Sequence, residues 1–134
     1  MASGFRERSH TADWALEVWA QDEPELLAMA ALGMYSLMGA RLRSEPQVHR
    51  RLELEAPDME GRMVCFLTEL LYLGEQEGAG FTRFGIQIAG CHLVAEMDGA
   101  RLASVAKEIK AVTYHNLSVQ QEEDGLRTVI VFDV

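Results

Sequence analysis

Between residues 14 and 20 apolar and polar residues alternate, placing Trp14, Leu16 and Val18 on one side of a period-two pattern, the mark of a half-buried strand. The rhythm then changes. Asp22 with Glu25 three residues on is a capping-box-like start and Pro24 suits a first helical turn. Leu27, Ala30, Ala31, Met34, Leu37 and Met38 follow at helical spacing. These features predict an amphipathic helix over 23–39 that ends near Gly39. Residues 48–55 alternate in their second half and read as a strand with a charged outer face, stopped at Ala56-Pro57-Asp58. Asp58 is positioned as an N-cap. Met59, Met63, Phe66, Leu67, Leu70 and Leu71 form the stripe of a second helix that closes near Glu77-Gly78. Beyond Gly80 the signals are those of strands: Phe84, Ile86 and Ile88 alternate, residues 91–97 form a short run, and Asp98-Gly99 reads as a hairpin turn. Residues 111–120 and 126–132 make a last pair joined through Glu122-Glu123-Asp124-Gly125.

The order is β-α-β-α followed by several strands. Late strands joined by short glycine-containing turns are antiparallel neighbours, so the expected class is α+β: two layers, with two amphipathic helices packed on one mostly antiparallel sheet. A single domain over 1–134 accounts for the length, and 49% apolar residues are enough to build a core without staples. No phosphate-binding glycine pattern of the GxGxxG or GxxxxGK type is present.

Charge and cysteine content narrow the function. A net charge of -9 lacks the clustered cations by which a chain grips nucleic acid phosphates itself, so any RNA contact runs through a partner. Cys65 and Cys91 are too few and too far apart for a disulfide framework or a metal knuckle, which fits a reducing compartment. The N-terminus has no apolar signal core and no run reaches the length of a membrane span. The expectation is a cytoplasmic protein without membrane contact.

Candidate chemistry collects at two places. Asp13 precedes the first strand and Asp133 ends the last. If those strands are adjacent and antiparallel, the two carboxylates converge, and with a backbone or terminal oxygen of Val134 they form a hard-oxygen set suited to a divalent cation. The alternative is a turn aspartate and a frayed tail. The second place is the strand-like run 110–117, where Lys110, Thr113, Tyr114 and His115 stand closer together than sheet-building requires. His10 and His115 each sit beside a hydroxyl residue at a strand end, where a side chain can reach a ligand. The four histidines, His10, His49, His92 and His115, lack the i, i+3 or i, i+4 spacing of a helical zinc pair. The methionines of the first helix read as core filling, with a binding groove as the alternative.

The run Phe5…His10-Thr11-Ala12-Asp13, the helix segment Phe66-Leu67-Thr68-Glu69-Leu70-Leu71-Tyr72-Leu73, the run Lys110-Ala111-Val112-Thr113-Tyr114-His115 and the ending Val131-Phe132-Asp133-Val134 resemble the archease family, in order and over nearly the whole chain. The resemblance implies an accessory factor of the GTP-dependent tRNA-splicing RNA ligase that promotes ligase guanylylation and multiple turnover, in tRNA splicing or RNA repair. It implies no catalytic residue of its own. It also implies a metal site at Asp13, Asp133 and Val134, taking calcium, with magnesium or manganese as alternatives, and leaves GTP to the ligase. His10, Lys110, Thr113, Tyr114 and His115 become candidate contacts for the partner or a phosphate. The chain departs from the family where relatives carry Trp-Leu-Asn-Glu-Leu-Leu and this one has Phe66-Leu67-Thr68-Glu69-Leu70-Leu71, and in a shortened stretch before Lys110. Two rival readings are a stand-alone metal-dependent phosphoester hydrolase and a chaperone-like adaptor.

Overall fold

A computed structural model describes residues 2–8 and 14–134. Both expected helices form: α1 spans Glu23–Met38 and α2 spans Met59–Glu77. Their ends are decided locally. Asp22 accepts a hydrogen bond from the Glu25 backbone N–H at 2.9 Å, and Asp58 accepts one from Gly61 at 2.7 Å, each satisfying an N–H that the first helical turn leaves unpaired. Gly39 and Gly78 close the helices at φ 61° and 63°, a left-handed conformation in which a Cβ would be strained.

The strands divide between two antiparallel sheets, where one was expected. The five-stranded sheet runs β1 (Gly4–Arg8), β2 (Trp14–Ala20), β8 (Gly125–Asp133) and β6 (Ala111–Val112), with β7 (Gln120–Glu122) also on β8. The three-stranded sheet has the order β3 (Arg41–Glu55), β5 (His92–Ser104), β4 (Ala79–Ala89). The α+β class, the two helices and the antiparallel pairing stand. What the pattern could not convey is which strands share a sheet, because that depends on contacts far apart in the chain.

One buried cluster joins the layers. Leu16, Val18, Ile130 and Phe132 come from the first sheet, Leu93, Ala95 and Met97 from the second, and Leu27, Met34, Phe66, Leu67 and Leu70 from the helices. Met34 and Met38 of α1 are buried and fill the core, and Met29 packs against it half-buried. Helix α1 packs against both β2 and β4, while α2 covers β4 and β3 and reaches β6. Arg62 ties the helix starts together: buried on α2, it holds Glu23 of α1 through Nε at 2.6 Å and Nη2 at 3.0 Å, and donates to the Ala56 carbonyl. Breaking such a buried pair costs about 3 kcal/mol because one charge is left unpaired.

Two local expectations are corrected. Asp98-Gly99 lies inside β5, not in a turn; the chain reverses at Gly90-Cys91, between paired Ala89 and His92. Glycine is needed at 99 for another reason, since a Cβ there would collide with the Gly80 carbonyl oxygen of the neighbouring strand. The run 111–120 is not a continuous strand either. It pairs with β8 at Ala111 and Val112, leaves the sheet, turns at Asn116 with φ 52°, and rejoins β8 at Gln120.

Candidate functional site at the end of strand β8

Strand β8 lies between β2 and β6, so its last residues have a neighbour on each side. In the β2–β8 register Trp14 faces Phe132, which carries Asp133 just past the start of β2. On the other side Ala111 faces Asp133, and the Lys110 backbone N–H donates to the Asp133 carbonyl at 2.8 Å. The antiparallel adjacency of the first long strand and the last strand, on which convergence of the terminal carboxylates depends, is therefore present. Asp13 and His10 themselves lie outside the described residues.

Side chains around this end are open to solvent. Asp133, Lys110, Tyr114 and His115 are exposed, Tyr114 to 60%, and Thr113 and Val134 are half-buried. Phe132, one residue earlier, is fully buried, so β8 passes from core to surface in a single step. The chain after β6 is held rather than free. Thr113 donates to the Val131 carbonyl through both its backbone N–H, at 3.1 Å, and its hydroxyl, at 2.9 Å. The same hydroxyl accepts from the His115 backbone N–H at 3.2 Å, and Leu117 closes a turn on the Tyr114 carbonyl. Thr113 is thus a positioning residue: it peels the chain off the sheet and presents Tyr114 and His115 outward. The sequence pattern read this run as strand-like, and the structure replaces that reading with a turn at Asn116.

One neighbour was not legible. Lys107 places its ammonium 4.7 Å from the centroid of the Trp14 ring, at the start of β2. Ninety-odd residues separate the two, and nothing local in either segment signals the contact. Behind Lys110 opens a cleft of about 470 Å³ with apolar walls that include Met38, Leu70, Leu102 and Ile109.

The donors fit a hard cation in type. Asp133 supplies an exposed carboxylate with no hydrogen bond or ion pair to any described residue, and Val134 adds backbone oxygen. Among the described residues, however, no three His, Cys, Asp or Glu side chains come together as a metal-holding group. Completion of a set would fall to Asp13. The remaining histidines are occupied elsewhere. His49 on β3 is clasped by Asp98 through Nδ1 and by Glu96 through Nε2, each at 2.8 Å, and the two carboxylates hold its pKa above the usual imidazole value. His92 lies 3.4 Å from Glu53 and 3.5 Å from Glu55.

Comparison with known proteins settles the lineage. Residues 5–134 match the model of the Archease protein family (MTH1598/TM1083). The chain belongs to the archease family. It is 32% identical to the protein archease of Thermococcus gammatolerans over 124 residues, 87% of each chain, and 28% identical to that of Methanosarcina barkeri over 93% of this chain and 92% of the other. The fold is that of the solution structure of Methanobacterium thermoautotrophicum protein 1598, with a TM-score of 0.73 at 22% identity over 98% of this chain and 99% of that one. Archease membership supports an accessory role for this chain. Among the described residues no helix is long and apolar enough to cross a membrane.

Proposed function

We propose that this archease assists a GTP-dependent RNA ligase, promoting guanylylation of the ligase and its repeated turnover, and that it does so with the end of β8. The observation that carries this reading is the polar end of a strand whose inward face is buried: an exposed Asp133 carboxylate with no bond to a described residue, flanked by the start of β2 and by Lys110. Asp13, Asp133 and Val134 would hold a divalent metal, calcium, magnesium or manganese. Bound there, the metal supplies positive charge against a phosphate or a carboxylate of the partner. Lys110 adds a cation from the protein itself, and His115 and Tyr114 offer hydrogen-bonding groups on the same edge. GTP and RNA stay with the ligase. A surface with net charge -9 suits a basic, RNA-binding partner and not RNA itself.

The adaptor reading has less to rest on, because Met34 and Met38 of α1 are buried in the core and Met29 is packed against it. The test is multiple-turnover ligation with ligase limiting, run without this protein, with it, and with its Asp13→Ala variant. Stimulation by the wild type and none by the variant supports the proposal. Equal turnover in all three reactions would sink it.

A further inference from the structure

Every open sheet has edges, and an uncovered edge is a row of backbone donors and acceptors able to pair with another chain. Most edges of this fold are guarded. Strand β1 is five residues long and carries Arg6, Glu7 and Arg8, while β6 and β7 have only two and three residues. Strand β3 is long but is broken by register shifts on either side of Leu42, contains Pro46, which has no N–H, and bears Arg41, Arg43, Arg50 and Arg51.

Strand β4, the opposite edge of the same sheet, has little of this. Among the described residues it pairs with β5 alone. Its first part is covered: Phe81 is fully buried, with Tyr35 of α1 against its backbone. A register shift between Phe81 and Arg83 then separates that part from the rest. From Phe84 to Gly90 there is no charge and no proline. Phe84, Ile86 and Ile88 are half-buried toward the helix layer, where Phe84 meets Phe66 edge-on at 6.0 Å, and Gly85, Gln87 and Ala89 are exposed on the other face.

We propose that this edge pairs, antiparallel, with the same strand of a second copy of the chain, centred on Ile86. The sequence is self-complementary in that register. Phe84 faces Ile88 of the second copy, Ile86 faces Ile86, Gly85 faces Gln87 and Arg83 faces Ala89, so the apolar stripe continues across the junction and no charge meets its like. Centring on Gly85 would set Ile88 against Thr82, and centring on Gln87 would set Phe84 against Gly90; both pair fewer apolar residues. Elsewhere two copies of net charge -9 repel, which selects the uncharged stretch as the meeting point. One strand pair buries less than the roughly 1,200–2,000 Å² of a stable interface, so the dimer is weak, half-formed on the order of 100 μM.

Sedimentation of the full chain from about 10 μM to about 1 mM, with hydrogen exchange at both ends of that range, tests the pairing. The expected result is a monomer that becomes a dimer as concentration rises, with slowed exchange confined to the amides of 84–88. Ile86→Lys sets two cations face to face and abolishes the shift. Should that variant fail to fold, Gly85→Lys replaces it, since a Cβ at 85 meets only the Glu96 carbonyl oxygen at 3.8 Å; it moves the midpoint up at least about fivefold. A chain that stays monomeric throughout, a dimer indifferent to the folded variant, or protection outside β4 would each overturn the proposal.

Discussion

The two ends of the β2–β8 strand pair carry comparable chemistry and use it differently. Near the Gly125 end Arg127 faces Trp19 across the register, and Glu17 lies beneath Arg6, Arg8 and Arg127 with only 6% of its surface exposed. Arg6 reaches it through Nη2 at 2.6 Å, Arg127 through Nη1 at 2.9 Å and Arg8 through Nη1 at 3.3 Å. Two of those guanidinium groups also stack on Trp19, at 5.5 and 5.3 Å. Glu17 and the three arginines spend their charges on one another within the fold. At the Asp133 end the carboxylate makes no bond to a described residue and Lys110, Tyr114 and His115 face solvent. Charge satisfied inside the molecule serves stability; an exposed carboxylate with no bond to a described residue, at the edge of the same sheet, is the kind of group a partner can use. The difference is open to direct measurement.

The largest stability effect belongs to the closed end. Glu17→Gln leaves three arginines around a neutral amide and lowers unfolding free energy by about 2 kcal/mol in denaturant titration, with an unchanged slope. The same variant alters the acid limb of the stability profile. The hydrogen bond from Arg6, reinforced by Arg127 and Arg8 against the opposing effect of burial, holds the Glu17 pKa below 4.5. Its stabilisation is therefore complete above 4.5 and is lost as pH falls through the lower folded value. In Glu17→Gln that part of the acid slope disappears. A wild-type slope retained in the variant would mean that the arginines do not recognise a carboxylate there.

A smaller loss is expected where the ends resemble each other. Lys107→Ala removes the cation over Trp14 and costs about 0.5 kcal/mol, an exposed counterpart of the stack on Trp19. Smallest of all is Asp133→Asn, which changes stability by less than about 0.5 kcal/mol because nothing described depends on that carboxylate. Calorimetric titration with Ca²⁺ nonetheless separates it from the wild type, with affinity falling at least about tenfold in the variant. Equal affinities would remove Asp133 from the proposed metal site.

How far these features could be read beforehand follows the range of the interactions behind them. Helix limits were legible because Asp22, Asp58, Gly39 and Gly78 act within a few residues of themselves. The Asp98-Gly99 signal failed because the glycine answers to Gly80 on a neighbouring strand, and a turn motif and a close-crossing strand look alike in one dimension. The strand-like run after Lys110 misled for a related reason: Thr113 is compatible with a strand, but here its hydroxyl and N–H both go to Val131. The adjacency behind the Asp133 site entered the sequence reading only as a condition, because strand order leaves open which strands pair; the β2–β8 register supplies it. Neither Lys107 on Trp14 nor the arginine cover of Glu17 was legible, since both join segments that share no local pattern.

If the open end is the working end, one paired comparison decides it. Multiple-turnover ligation with ligase limiting is measured with the Asp133→Asn and Glu17→Gln variants side by side, at a temperature where both are folded. The account predicts full stimulation by Glu17→Gln and loss of stimulation by Asp133→Asn. Stimulation that survives in Asp133→Asn and fails in Glu17→Gln would contradict it, placing the function at the closed end of the strand pair.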